Sequence, residues 1–369
     1  MTDTTIPFRP DWASPPGDTI SDLLEERGWS QAELADRLGY TKKHVSLLIN
    51  GRAPVTEDTA LRLERVFSGQ AAFWLAREAQ FCAQRARLEA GRRFADWIGW
   101  LDKLPVHELM KANAIPVRRV GTKTKPTLVE ELLRFFGVAS PDEWERHYVG
   151  MEASFRRTHK EQSDVGAISA WLRLGEIEAE KLDGIRFERA RFEKALTEIR
   201  TMTTLPPEKF EPVLRELCLG SGVALVFVPA IPRAHVSGVA RWLSPHRALI
   251  QLSLYGKTND RLWFTFFHEA AHILLHGKKD VFLDDTGNNT PIESQAEHEA
   301  NQWAGNFLIP ADHAGKLPDL KTKGAVRDFA HCIGIHPGIV VGRLQHDKLI
   351  PPSWMNDLKV SFRLQHKAA

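Results

Sequence analysis

The sequence predicts a mainly α, α+β chain: an N-terminal helix-turn-helix bundle, a helical middle region, and a C-terminal unit in which a small three-stranded sheet lies beside one long H-E-x-x-H helix. Three observations predict it. Two short capped helices meet at Gly39. Three β-branched or apolar runs bounded by turn residues occupy positions 223 to 253. The apolar run Arg261 to His276 carries His268, Glu269 and His272 and has no helix breaker.

Composition bounds the problem. At 369 residues, 43% hydrophobic and 26% charged, the chain is long enough for two or three domains. The net charge of +2 says little. Cys82, Cys218 and Cys332 are too far apart for a C-x-x-C pair or a disulfide framework, which fits a reducing cytoplasm. The first sixteen residues are polar and proline-rich without an apolar core, so no cleavable signal is expected, and no apolar run reaches the length of a membrane span.

Residues 16–80 read as an all-helical domain. A helix from Thr19 to Arg27 stops at Gly28. Ser30 caps the helix Gln31–Leu38, with Glu33 placed to complete a capping box. Thr41 caps Lys42–Ile49, which ends at Asn50-Gly51. The second helix of such a pair enters the DNA major groove. Residues 1–70 hold 8 Lys+Arg against 11 Asp+Glu, a net of −3, yet from Arg37 to Arg52 there are four basic residues and no acid. Exposed members of Lys42, Lys43, His44, Ser46 and Leu47 on the second helix are candidates for base contacts, Gln31, Asn50 and Arg52 for phosphate contacts, and the capping Thr41 is a further DNA-binding candidate. A solvated bundle face is the alternative.

Residues 81–205 form a charged helical linker. Gln84 to Trp100 reads as an amphipathic helix or a basic DNA-facing stretch, followed by short helices at Val106–Ala114, Leu128–Phe136 and Asp142–Tyr148. Ala167–Leu182 and Arg186–Thr203 read as two longer helices whose charged faces serve as spacer or dimer surfaces.

The C-terminal unit, residues 206–350, begins with a helix at Pro206–Leu219 and continues through strands Val223–Pro229, Val236–Trp242 and Arg247–Ser253. An edge of that sheet can hold an extended peptide by main-chain hydrogen bonds. On the following helix, residues four apart share a face, so His268 and His272 can both reach one Zn2+ while Glu269 reaches its bound water as general base. The helix is apolar nearly all round, and three buried polar side chains in register call for a metal. A third ligand is expected from the helical stretch Glu293 to Pro310: Glu297, with Asn301 one turn on orienting a ligand histidine. His298 and Glu299 compete, but Glu299 projects roughly 200° from Glu297 and cannot share its metal. His276 reads as a packed histidine, and His235, His246, Tyr255 and Arg261 are unassigned candidates for oxyanion stabilisation. Gly324–Ile333 and Pro337–Gln345 repeat the two-helix pattern and read as a cap on this unit, with residues 351–369 as a tail.

Two resemblances sharpen these readings. His268-Glu-Ala-Ala-His272, then Ile-Leu-Leu-His276-Gly, then Glu297-His-Glu-Ala300-Asn301-Gln-Trp-Ala304-Gly-Asn-Phe-Leu-Ile-Pro310, resembles the ImmA/IrrE family of zincin-like metallopeptidases over roughly residues 210 to 350. The resemblance implies zinc on His268, His272 and Glu297 with Glu269 as catalytic base; Asn301 stands where thermolysin-like relatives carry an aspartate. Ser30-Gln-Ala-Glu-Leu-Ala, Gly39-Tyr-Thr-Lys-Lys-His-Val-Ser, Ile49-Asn-Gly-Arg52, Ala60-Leu-Arg-Leu-Glu64 and Ala72-Phe-Trp-Leu75 resemble HigA-family antitoxins of the XRE/Cro group. That implies operator binding, commonly as a homodimer, with Lys42, Lys43 and Ser46 reading bases. The expectation is a cytoplasmic DNA-binding regulator whose zinc-dependent peptidase domain cleaves a regulator, repressor or toxin-antitoxin partner. The alternative is a repressor or antitoxin whose peptidase fold is a non-proteolytic sensor or partner-binding module.

Overall fold

The structure is a computed structural model and describes residues 12–149, 164–253, 258–278, 282–285 and 295–362. It divides into two units, Met1–Ile98 with Val120–Glu130 and Gly99–Arg119 with Glu131–Ala369.

In the first unit, α1 (Pro16–Arg27), α2 (Gln31–Leu38), α3 (Lys42–Ile49), α4 (Glu57–Phe67) and α5 (Ala71–Asp96) follow one another through capped turns. Gly28 and Gly39 close α1 and α2 in the left-handed region, at φ 67° and 69°, where a side chain would be strained. Ser30, Thr41 and Thr56 each accept a backbone N–H from the first turn of the helix they cap. The capping box is half formed: Glu33 turns outward and takes Arg37 at 2.8 Å. Ile20, Leu24, Leu34, Leu38, Val45, Leu48, Leu63 and Trp74 form the core. The helix read as starting at Gln84 is the second half of α5, which runs unbroken through residue 80 because nothing from Ala71 to Asp96 breaks it more strongly than Gly91.

In the second unit a four-stranded sheet carries the architecture: β1 (Val223–Val228), β2 (Val236–Ser244), β3 (Arg247–Ser253) and β4 (Phe282–Asp285), in the order β1-β3-β2-β4. β1 runs parallel to β3, and β2 runs antiparallel to both β3 and β4. The first three strands are those the sequence predicts; the fourth is too short to show alternation. Its presence puts β2 inside the sheet, with β1 and β4 at the edges.

The chain forms the short helices α6 (Val106–Lys111), α7 (Lys125–Phe136) and α8 (Pro141–Trp144) ahead of this sheet, and further helices cover both of its faces. On one, Leu225, Ala240, Ala248, Ile250 and Leu252 pack with α10 (Arg189–Thr201), α11 (Pro207–Leu219) and the long α12 (Asn259–Leu275) in one core. On the other lies α9 (Val165–Glu180). Gln251 donates to the Trp171 carbonyl at 2.6 Å, and the buried Arg241 donates to the Leu172 carbonyl at 2.7 Å and to Glu176 at 2.6 Å. Gly175 permits this approach, since a Cβ there would sit 1.9 Å from Gln251 Oε1. The spacer reading of the helices at 165–180 and 189–201 is therefore corrected: Trp171 and Phe192 are fully buried in this unit. Trp100, Phe136, Trp144 and Tyr148 form an edge-on and tilted aromatic cluster in the same unit, with ring centroids 5.6 to 6.1 Å apart.

α13 (Gln295–Leu308) lies along α12. Beyond α14 (Ala311–Ala314), the pair α15 (Lys323–Ile333) and α16 (Pro337–His346) caps the unit, with Ile339, Val340, Val341 and Leu344 of α16 buried in its core. The second helix of this pair is thus committed to packing. Within the segment read as a tail, Lys359 and Val360 fasten back onto the start of α12: Asn259 and Val360 exchange hydrogen bonds at 2.8 and 3.1 Å, and Lys359 pairs with Asp260 at 2.6 Å.

Candidate metal centre and nucleic-acid interface

α12 is a helix with little polar face. Leu262, Trp263, Phe266, Phe267, Ala270 and Ile273 bury it in the core, and the same burial takes His268 to 2%, Glu269 to 0% and His272 to 2% exposure. α13 is amphipathic, and its first turn points Glu297 at this trio. His268 Nε2 lies 3.1 Å from Glu297 Oε2, His272 Nε2 lies 3.5 Å from Glu297 Oε1, and the two Nε2 atoms are 3.0 Å apart. Nitrogen and oxygen donors about 2.0 to 2.2 Å from a tetrahedral ion are spaced by about 3.3 to 3.6 Å, so the two imidazole nitrogens and the Glu297 carboxylate stand near the separations one zinc requires. His268, His272 and Glu297 form a three-donor cluster within 4.8 Å among the described residues.

The protonation states suit a cation. Burial, with the neighbouring His268 charge acting in the same direction, lowers His272 to about 4 against the pull of Glu297. Burial pushes Glu297 upward, but the hydrogen bonds from His268 and His272 outweigh it and bring the carboxyl to about 2. At neutral pH His272 is therefore a neutral imidazole and Glu297 an ionised carboxylate, the ligand forms of these two groups.

Glu269 sits under β2, and Gly238 makes room for it. A Cβ at Gly238 would lie 2.5 Å from Glu269 Oε1 and 2.8 Å from Thr265 Cγ2. Asn301 follows Glu297 by one turn and is half-buried. His298 is exposed, and Glu299 turns away from Glu297 to Gln295 at 2.8 Å and His276 at 3.4 Å. Neither joins the cluster. His276 does more than pack: its Nδ1 lies 2.9 Å from His272 Nδ1. The signal for this in the sequence was the further i,i+4 step from His272 to His276.

None of the described oxyanion candidates joins the cluster. Arg261 and His235 are exposed, and His246 is exposed against Arg186. Tyr255 lies outside the described residues.

On the first unit, Thr41, Lys42 and Lys43 at the start of α3 are exposed, as are Gln31 and Arg52. His44 is half-buried edge-on to Tyr40, with centroids 4.6 Å apart. Ser46 is half-buried, and Asn50 folds back to donate to the Ser46 carbonyl at 2.7 Å. The exposed basic pair at the helix start is the arrangement that groove entry requires; the Asn50 amide instead finishes its own helix.

Comparison with known proteins accords with both parts. Residues 20–72 match the helix-turn-helix family, and residues 231–319 match the IrrE N-terminal-like domain. The chain thus carries a helix-turn-helix domain towards its N-terminus and an IrrE-like domain towards its C-terminus. No curated protein matches. Among solved structures, an addiction module antidote protein of the HigA family from Coxiella burnetii is 29% identical over 21% of this chain and 86% of its own, with a TM-score of 0.20. A protein described as an antidote protein of a plasmid maintenance system, from Nostoc punctiforme, is 25% identical over 21% of this chain and 87% of its own, with a TM-score of 0.21.

Proposed function

We propose that this chain, a DNA-binding helix-turn-helix domain joined to an IrrE-like domain, is a transcriptional regulator that holds one zinc ion on His268, His272 and Glu297 and hydrolyses a peptide bond of a regulatory protein. The observation that carries the reading is the convergence of those three donor atoms at a buried point one residue from Glu269. A zinc ion held there supplies Lewis acidity, lowering the pKa of water and polarising a carbonyl. Glu269 takes the proton of the attacking water and delivers it to the leaving amine as the C–N bond breaks. His268, His272 and Glu297 hold the site, and Asn301 steadies a ligand histidine. Lys42, Lys43 and Ser46 meet base edges of an operator, with Gln31 and Arg52 on phosphates and two copies of the chain on two half-sites.

A second reading, a regulator whose peptidase fold senses or binds a partner without turnover, is favoured by the complete burial of Glu269 beneath a strand paired on both sides. Zinc content of the wild type and of Glu297→Ala tests the site: about one zinc per chain in the first and weak binding in the second is expected. Wild type that takes up no zinc after reconstitution ends the peptidase reading. Glu269→Gln then separates the two: loss of regulation with zinc retained supports proteolysis, and unchanged regulation supports the sensor.

A further inference from the structure

His276, the residue that caps the C-terminus of α12, connects the cluster to the protein surface. We infer that His276, anchored by Glu299, is a positioning residue that fixes the ring orientation and tautomer of His272; the inference rests on the zinc-site reading above. His272 presents Nε2 to the cluster, 3.0 Å from His268 Nε2 and 3.5 Å from Glu297 Oε1. A ligand nitrogen must carry its lone pair, and a neutral imidazole has one N–H, so the His272 proton belongs on Nδ1. Nδ1 lies 2.9 Å from His276 Nδ1, within hydrogen-bond range. Two nitrogens at that distance need one donor and one acceptor. With His272 donating, His276 Nδ1 accepts, and the His276 proton is left on Nε2, which faces Glu299 Oε2 at 3.4 Å.

One proton arrangement therefore satisfies all three residues in sequence. His272 is aimed by a nitrogen, that nitrogen is kept free of hydrogen by the proton on the far side of its own ring, and a carboxylate holds that proton. The outer contact is the longer, and the Glu299 side chain is 44% exposed, so Glu299 contributes less than His276. Glu299 is itself held by Gln295 at 2.8 Å. The contrasting explanation is aromatic packing alone, since the His272 and His276 rings lie 4.9 Å apart and tilted by 45°. Packing is replaceable by another ring of similar shape. Acceptance of an N–H is replaceable by the Asn carbonyl, which can occupy the place of Nδ1.

The full-length protein is tested by zinc competition against a chelator. His276→Phe is expected to weaken zinc by about 10- to 100-fold, the range typical of partners that orient ligand histidines, and His276→Asn to stay within about threefold of wild type. Glu299→Gln is expected to fall between them. The thermal midpoint of the metal-free proteins checks that the substitutions leave the fold intact. A spectroscopic signature needs no variant: in zinc-loaded wild type, imidazole 15N–1H correlation is expected to place the His276 proton on Nε2. A proton on His276 Nδ1, or a His276→Phe protein that binds zinc as wild type does, overturns the positioning role while leaving the zinc site in place. Wild type that binds no zinc overturns the zinc-site reading and, with it, this one.

Discussion

Replacing Gly238 with alanine puts one methyl group where the structure has none to spare. The added Cβ would meet Glu269 Oε1 at 2.5 Å, Thr265 Cγ2 at 2.8 Å and Glu269 Cγ at 3.0 Å, each inside ordinary contact. Glu269 is fully buried and cannot swing into solvent, and β2 is held by β3 on one side and β4 on the other. Neither partner has room to yield cheaply. Overpacking of this kind costs about 1 to 3 kcal/mol, and a central value of about 2 kcal/mol lowers the folded-to-unfolded ratio about thirtyfold. Urea unfolding of the metal-free protein, followed by tryptophan fluorescence, is expected to show a lower midpoint for Gly238→Ala with an unchanged slope. In a Glu269→Ala background two of the three close contacts disappear, so the same substitution is expected to cost less than half as much. Equal cost in both backgrounds would refute the claim that β2 rests on the Glu269 side chain, as would a Gly238→Ala protein as stable as wild type.

Three further outcomes are expected. Arg241→Met, which removes the guanidinium that meets Glu176 at 2.6 Å and the Leu172 carbonyl at 2.7 Å while Arg173 still holds Glu176 at 2.8 Å, should destabilise the second unit by about 2 kcal/mol in chemical denaturation. Burial holds His336 below its ordinary value of 6.5, so the unfolded chain binds its proton first as pH falls; stability is full above about 6.5 and declines below it, and His336→Asn, which keeps a cap for α16, should flatten part of that decline in unfolding curves taken below about pH 6.5. Lys42→Ala and Lys43→Ala should each weaken binding to a selected operator; a loss confined to the cognate sequence marks base contact, and a uniform loss with a salt slope lower by about one marks phosphate contact, whereas no loss in either removes α3 from the interface.

How much of this could be read from the chain depended on how local the cause was. His268, Glu269 and His272 are placed on one helix by their spacing; spacing on the second amphipathic helix left Glu297 in competition with His298 and Glu299, and the structure brings Glu297 beside the two histidines. The caps at Ser30 and Thr41 are equally local. β4 was not legible, because Phe282 to Asp285 is four residues with no alternation to detect, and only pairing with β2 makes it a strand. The position of α9 was obscured by Arg173, Glu176, Glu178 and Glu180, which suggested a solvated helix; Gly166, Ala167, Ala170, Trp171 and Leu172 bury the other face against the sheet. His276 is legible as one further i,i+4 step from His272 but not as a partner of Glu299, because that contact joins the end of α12 to α13 across 23 positions of sequence.

The bond between Asn259 and Val360 spans 101 positions. Closing a loop of that length costs about 4 kcal/mol of chain entropy by logarithmic scaling, and the contact recovers little of it until α15 and α16 have docked. The first turn of the helix that carries His268 and His272 is therefore secured late, after the elements between it and the strap have found their places. Folding of this unit should be slow for its helical content, since its rate is governed by long-range closure rather than helix growth. A ribosome-bound chain that has not yet emerged past Val360 would present the paired histidines on a helix whose beginning is still loose.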